Sequence, residues 1–149
     1  MIVLDTNVLS ELMQRRPEPA VVEWLDAQAA AAVFITNITL FESRYGVSLL
    51  ADGHRKTLLQ ERLDLLIGED LGHRVLTFDP RAADCAASLA AERKRSGQPV
   101  DIRDTFIAGI VIANGAMLAT RNTRHFADLP VPVVDPWGEG TRSKVKGER

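Results

Sequence analysis

The chain has 149 residues, 46% apolar and 26% charged, with a mean hydropathy of −0.04, which suffices for one domain with a core and excludes a disordered or fibrous chain. A formal charge of −2 excludes gripping nucleic acid by overall phosphate neutralisation, so a nucleic-acid role needs local positive charge or a metal. The single cysteine, Cys85, excludes an internal disulfide and a zinc ribbon, and no apolar run reaches the roughly 20 residues of a membrane helix.

In chain order, MIVLDTNVL has no basic leader region and meets Asp5 after four residues, so it reads as part of the fold and the expected location is the cytoplasm. Short β-branched runs then alternate with stretches of helical period. Strands are expected at 2–4, 33–36, 75–78, 117–120 and 131–134, and helices at 8–13, 19–29, 38–50, 55–67, 81–95 and 102–114. That alternation predicts an α/β domain with a mainly parallel sheet of four to five strands flanked by helices. Cys85, among alanines, reads as a small core residue. From residue 138 the apolar pattern stops; Arg142, Lys144, Lys146 and Arg149 give 140–149 a net charge of +3. The expected division is a domain over 1–137 and a basic, mobile tail over 138–149.

Ligands of open parallel sheets bind beyond the carboxyl ends of the strands, which directs attention to the polar residues there. Asp5, with Thr6 and Asn7, ends the first strand; alone, it reads as a helix cap. On a wheel of residues 38–50, Ile38, Phe41, Tyr45 and Leu49 share the apolar face, Thr39, Ser43 and Arg44 turn away, and Glu42 lies at the edge of the arc. A carboxylate there is paired with a cation or held for chemistry. Asp104 opens a helix that is apolar on every side, and Asp101, three residues earlier, takes its cap. Asn122, with Thr120, follows the fourth strand. Asp79, before Pro80, reads as a cap.

Asp5, Glu42 and Asp104 would converge on one cleft. Three nearby carboxylates repel, and an all-oxygen donor set without His or Cys suits Mg²⁺, or Mn²⁺, rather than Zn²⁺. The chemistry such a set suggests is phosphodiester hydrolysis. His54, His73 and His125 read as surface residues. There is no glycine-rich phosphate loop, and a phosphatase with a strand-end aspartate nucleophile would need an acid at position 7, which is Asn.

The segments IVLDTNVLSEL with Asp5, ITNITLFESRYGV with Glu42, DIRDTFIAGIVIANG with Asp104 and LATRNTRHF with Asn122, in this order and spacing over residues 1–137, resemble the PIN-domain nucleases. Within them they resemble the VapC toxins of type II toxin–antitoxin pairs and their FitB-like branch. The resemblance implies a three-layer α/β/α fold, with Asp5, Glu42 and Asp104 as metal-binding acids. Asn122 would be a neutral oxygen ligand where many relatives carry Asp, and Thr6, Asn7 and Thr120 would be polar support. It further implies an Mg²⁺-dependent endoribonuclease cutting structured RNA, often tRNA. Such relatives are homodimers silenced by a small antitoxin, and the complex binds promoter DNA through that antitoxin. RNA would be drawn by Arg93, Lys94 and Arg95, by Arg121 and Arg124, and by the tail. For residues 93–95 the alternative is a solvated helix end, where cations suit the helix dipole. The competing functional reading is a binding module, acting with an antitoxin in promoter recognition and holding a partner arginine in its acidic cleft.

Overall fold

Each strand is a run of two to four mostly apolar residues, and all five pair in parallel. They are β1 (Ile2–Leu4), β2 (Val33–Thr36), β3 (Val75–Leu76), β4 (Met117–Ala119) and β5 (Val133–Val134), in the spatial order β3-β2-β1-β4-β5. The computed structural model describes residues 1–138; the expected basic tail falls outside the described residues from 139 onward. Six helices connect and cover the strands: α1 (Thr6–Leu12), α2 (Pro19–Asp26), α3 (Asn37–Ser48), α4 (His54–Leu65), α5 (Pro80–Arg95) and α6 (Ile102–Ala113). A π-helical turn, Leu66–Asp70, prolongs α4, and a 3₁₀ turn, Thr123–Phe126, follows β4.

Alternation along β1 builds the three layers. Leu4 joins Val8, Leu9, Val21, Val47 and Leu63 from α1 to α4 in one buried cluster. Its neighbour Val3 joins Ile107, Ala108 and Val111 of α6 in the other. On that second side α5 and α6 pack close: a Cβ on Gly109 would lie 2.5 Å from the Ala82 carbonyl oxygen and 2.7 Å from the Ala86 Cβ.

The chain winds outward from β1 to β2 and β3, then returns past β1 to β4 and β5. The winding therefore reverses between β1 and β4, where such sheets open a crevice at their carboxyl ends. Leu4 pairs with Ala119 across these strands, and the Asp5 N–H continues the ladder to the Ala119 carbonyl at 2.9 Å.

Three expectations need correction. The buried face of α3 is Thr39, Ser43 and Val47, while Phe41, Tyr45 and Leu49 are 57%, 50% and 66% exposed. The helix lies so near α1 that small and β-branched side chains fit the seam, with the Thr39 and Thr6 hydroxyls 3.0 Å apart. The larger Phe41 and Tyr45 stack on each other outside, ring centroids 5.8 Å apart. Arg93 is buried instead of facing RNA. It continues the inner face of α5 at the spacing of Ala82, Ala86 and Leu89, its guanidinium grips both Asp128 oxygens at 2.8 and 2.9 Å, and it donates to the His125 carbonyl at 2.9 Å. Cys85 is half-buried, a quarter-turn away from that inner face.

Candidate active site

At the crevice between β1 and β4 a cavity of about 430 Å³ is lined by Asp5, Thr6, Asn7, Ser10, Glu11, Gln14, Glu42, Asp104, Arg121, Asn122 and Trp137. The four positions singled out in the sequence, Asp5, Glu42, Asp104 and Asn122, thus line one cavity. Thr6 and Asn7 line it too, and Thr120 stands directly behind them.

Asp5 is only 4% exposed. Its carboxylate accepts hydrogen bonds from the Thr6 N–H at 2.8 Å, the Thr120 hydroxyl at 2.7 Å and the Asn7 amide at 3.3 Å, so it caps α1 and serves the cavity together. Burial pushes its pKa up from 3.8 to about 6 against the pull of the Thr120 and Thr6 bonds, and the charges of Asp104 and Glu42 push in the same direction. Thr120 is buried and joins three neighbours, since its oxygen also accepts from the Asn122 N–H at 3.1 Å and the Asn7 amide at 3.4 Å.

Glu42 accepts from the Thr6 hydroxyl at 2.7 Å. Its second oxygen lies 3.5 Å from the Arg103 guanidinium. Asp101 caps α6 through the Asp104 N–H at 3.0 Å, which leaves the Asp104 side chain for the cavity. Burial, then the Asp101 charge, raise the Asp104 pKa, while His125 and Arg93 oppose the rise. His125 Nδ1 stands 3.6 Å from the Asp104 carboxylate. Asn122 is exposed at the rim, beginning the 3₁₀ turn that carries His125.

Of the described residues expected to draw RNA, only Arg121 lines the cavity; Lys94 and Arg124 are exposed elsewhere, and Arg95 pairs with Glu92 at 3.0 Å. Sequence reasoning missed Ser10, Glu11 and Gln14, although they follow Asn7 at three, four and seven residues, one helical face. It also missed Arg103 and His125, whose only sequence signal is nearness to Asp104 and Asn122.

The all-oxygen donor set and the mutual charge of Asp5, Glu42 and Asp104 suit a hard divalent cation. Among the described residues no three acidic, histidine or cysteine side chains stand close enough to close on one ion. Uncompensated carboxylates repel, and Glu42 and Asp104 lean on Arg103 and His125, so ion binding would have to draw them inward from those partners.

Comparison with known proteins agrees with this architecture. A family model described as PIN domain matches residues 2–132. The chain is 40% identical over 137 residues to VapC ribonuclease Y4jK of Sinorhizobium fredii, covering 92% of this chain and 98% of that one. It is 31% identical over 137 residues to a tRNA(fMet)-specific endonuclease VapC of Salmonella typhimurium, covering 91% and 96%. Among solved structures, FitAB bound to an IR36 DNA fragment superposes with a TM-score of 0.84 at 36% identity, covering 92% of this chain and 96% of that one. Fold, strand-end acids and extent of match lead to one conclusion: the chain belongs to the PIN domain family, among relatives that include VapC ribonucleases.

Proposed function

We propose that the protein is a metal-dependent endoribonuclease, the toxin of a VapBC-type toxin–antitoxin pair, and that Asp5, Glu42 and Asp104 hold its Mg²⁺ or Mn²⁺. The observation that carries this reading is the convergence of these three acids on one cavity, with Asp5 raised to about 6 by its burial and, less, by the other two charges. A bound divalent cation would offset most of the charge of the three carboxylates, engage a phosphate oxygen and make water a better nucleophile. The chain's own residues do the positioning. Thr120, Asn7 and the Thr6 N–H hold Asp5 in one orientation, and the Thr6 hydroxyl holds Glu42. Asn122 supplies a neutral polar side chain at the rim. The similarity to a tRNA-specific relative supports structured RNA, tRNA first, as the substrate.

The antitoxin is the proposed partner, and promoter DNA would be met through it. An apolar groove of about 540 Å³ beside α1 and α2, lined by Leu9, Leu12, Val22, Leu25 and Leu66 with Asp26, Glu69 and Asp70 among its walls, fits an amphipathic segment carrying basic residues. Self-association as a homodimer has a candidate surface in the exposed Phe41, Tyr45 and Leu49 of α3. Among the described residues no helix is long and apolar enough to cross a membrane; a place in the cytoplasm is part of the proposal. The division into a domain over 1–137 and a basic tail is likewise proposed.

The second reading, a binding module without catalysis, is favoured by the separation of the carboxylates from a closed ligand cluster. RNA cleavage with Mg²⁺ or Mn²⁺ decides between them. Cleavage should stop in EDTA and fall at least about a hundredfold in Asp5→Asn and Asp104→Asn, matching the several kcal/mol a polarising cation contributes. If both folded variants cut at the wild-type rate in chelator, the assignment of a metal to these acids fails. Tight partner and DNA binding with no hydrolysis would establish the binding module.

A further inference from the structure

The cavity would take an anionic strand, yet its wall carries Asp5, Glu11, Glu42 and Asp104, and of the described residues lining it Arg121 alone is cationic. Arg121 is exposed at the rim. Its guanidinium lies over the Trp137 ring, 4.8 Å from the centroid. Trp137 is fixed in turn: it packs against the core cluster beneath α1 to α4, and its backbone N–H donates to the Asp135 carboxylate at 2.9 Å. The Arg121 backbone is fixed as well. Its N–H donates to the Asn7 side-chain oxygen at 3.2 Å, and the Asn7 amide donates to Asp5 at 3.3 Å.

A guanidinium that rests its face on an indole keeps the N–H groups in its plane available, and those are the donors that bind phosphate in a fork. The ring contact also removes rotamer freedom that a long exposed arginine would otherwise lose on binding. The bonds through Asn7 place this cation at a set offset from Asp5, beside the acids rather than among them.

We propose that Arg121, backed by the Trp137 indole, is a phosphodiester-binding subsite that takes the backbone phosphate next to the one at the acids, with Trp137 as a positioning residue acting through Arg121. The inference rests on the reading of the cavity as a ribonuclease site.

The test uses the full chain and fluorescein-labelled polyuridine in EDTA, with affinity measured over a potassium chloride series. Arg121→Gln should weaken binding about tenfold, the loss of one charged hydrogen-bonded pair. It should also flatten the slope of log affinity against log salt by about 0.7, the value for one single-strand phosphate contact. Trp137→Leu should shift both in the same direction in the wild type and neither any further in the Arg121→Gln background, which a merely structural role would not produce. With Mg²⁺ present, the Arg121→Gln variant should show a raised KM with kcat little changed. Unchanged salt slope and KM in Arg121→Gln, in a wild type that cuts RNA, would overturn the inference alone. An Arg121-dependent slope in a protein that cuts no RNA would uphold the subsite and overturn the nuclease reading. Failure of the wild type to bind polyuridine or cut RNA would overturn both.

Discussion

Asp5 occupies a costly position for a carboxylate, at 4% exposure with three other acids lining the same cavity. Its pKa of about 6 against an ordinary 3.8 means that the folded chain binds the proton more tightly than the unfolded one. The stability this contributes, about 3 kcal/mol, is fully present below the unfolded value and is lost as pH rises through the folded one. Metal-free wild type should therefore lose Tm relative to Asp5→Asn as pH rises from about 4 to about 7, and Mg²⁺ should restore it at the upper end. A Tm difference that stays constant across that range would contradict the raised value. Arg93 presents the opposite case, a buried cation with its partner in place. Asp128 raises the Arg93 pKa and is itself held below the usual carboxylate range. Arg93→Ala should cost about 2 kcal/mol by chemical denaturation, because it removes a buried guanidinium from the partly exposed Asp128 and frees the His125 carbonyl. It should leave the salt slope of RNA binding unchanged, unlike Arg121→Gln. Asp5, Glu42 and Asp104 were legible because a strand end, the edge of an apolar helical arc and the first turn of an all-apolar helix are places where an acid breaks the local pattern. The pairings of Arg93, Arg103 and His125 were not, since their partners lie on other elements.

Helix and strand positions followed from period and breakers, and the caps Asp79 and Asp101 hold Ala82 and Asp104 as their spacing suggested. The rotation of α3 did not follow. A wheel ranks faces by hydrophobicity, whereas the seam against α1 admits only slim side chains, so Thr39, Ser43 and Val47 enter it and the aromatic residues remain outside. This inversion also turns Glu42 toward Thr6. Inside that seam the Ser43 hydroxyl is buried without a hydrogen-bond partner. Ser43→Ala should leave stability unchanged or raise it by up to about 1 kcal/mol, since a buried unpaired hydroxyl is a cost. A loss of that size in urea unfolding would mean that the hydroxyl has a partner and that α3 sits differently.

Across the whole molecule, the all-parallel order β3-β2-β1-β4-β5 brings residues a hundred positions apart, such as Asp5 and Thr120, within 2.7 Å. The apolar strip that α3 leaves outside predicts association of two copies. Wild type should sediment as a dimer, and Tyr45→Glu should shift it toward monomer, because a charge at the centre of a stacked Phe41–Tyr45 pair would be desolvated on association. An unchanged sedimentation coefficient would place the contact elsewhere. The sequence by itself determined the element order, the parallel sheet and the three acids, because hydrophobic period, turn residues and misplaced carboxylates are local signals. The tertiary structure alone decided which way α3 faces, that Arg93 is locked inside, and that Arg121 and Trp137 meet at the rim of the acidic cavity, because each depends on packing and charge between elements distant in the chain.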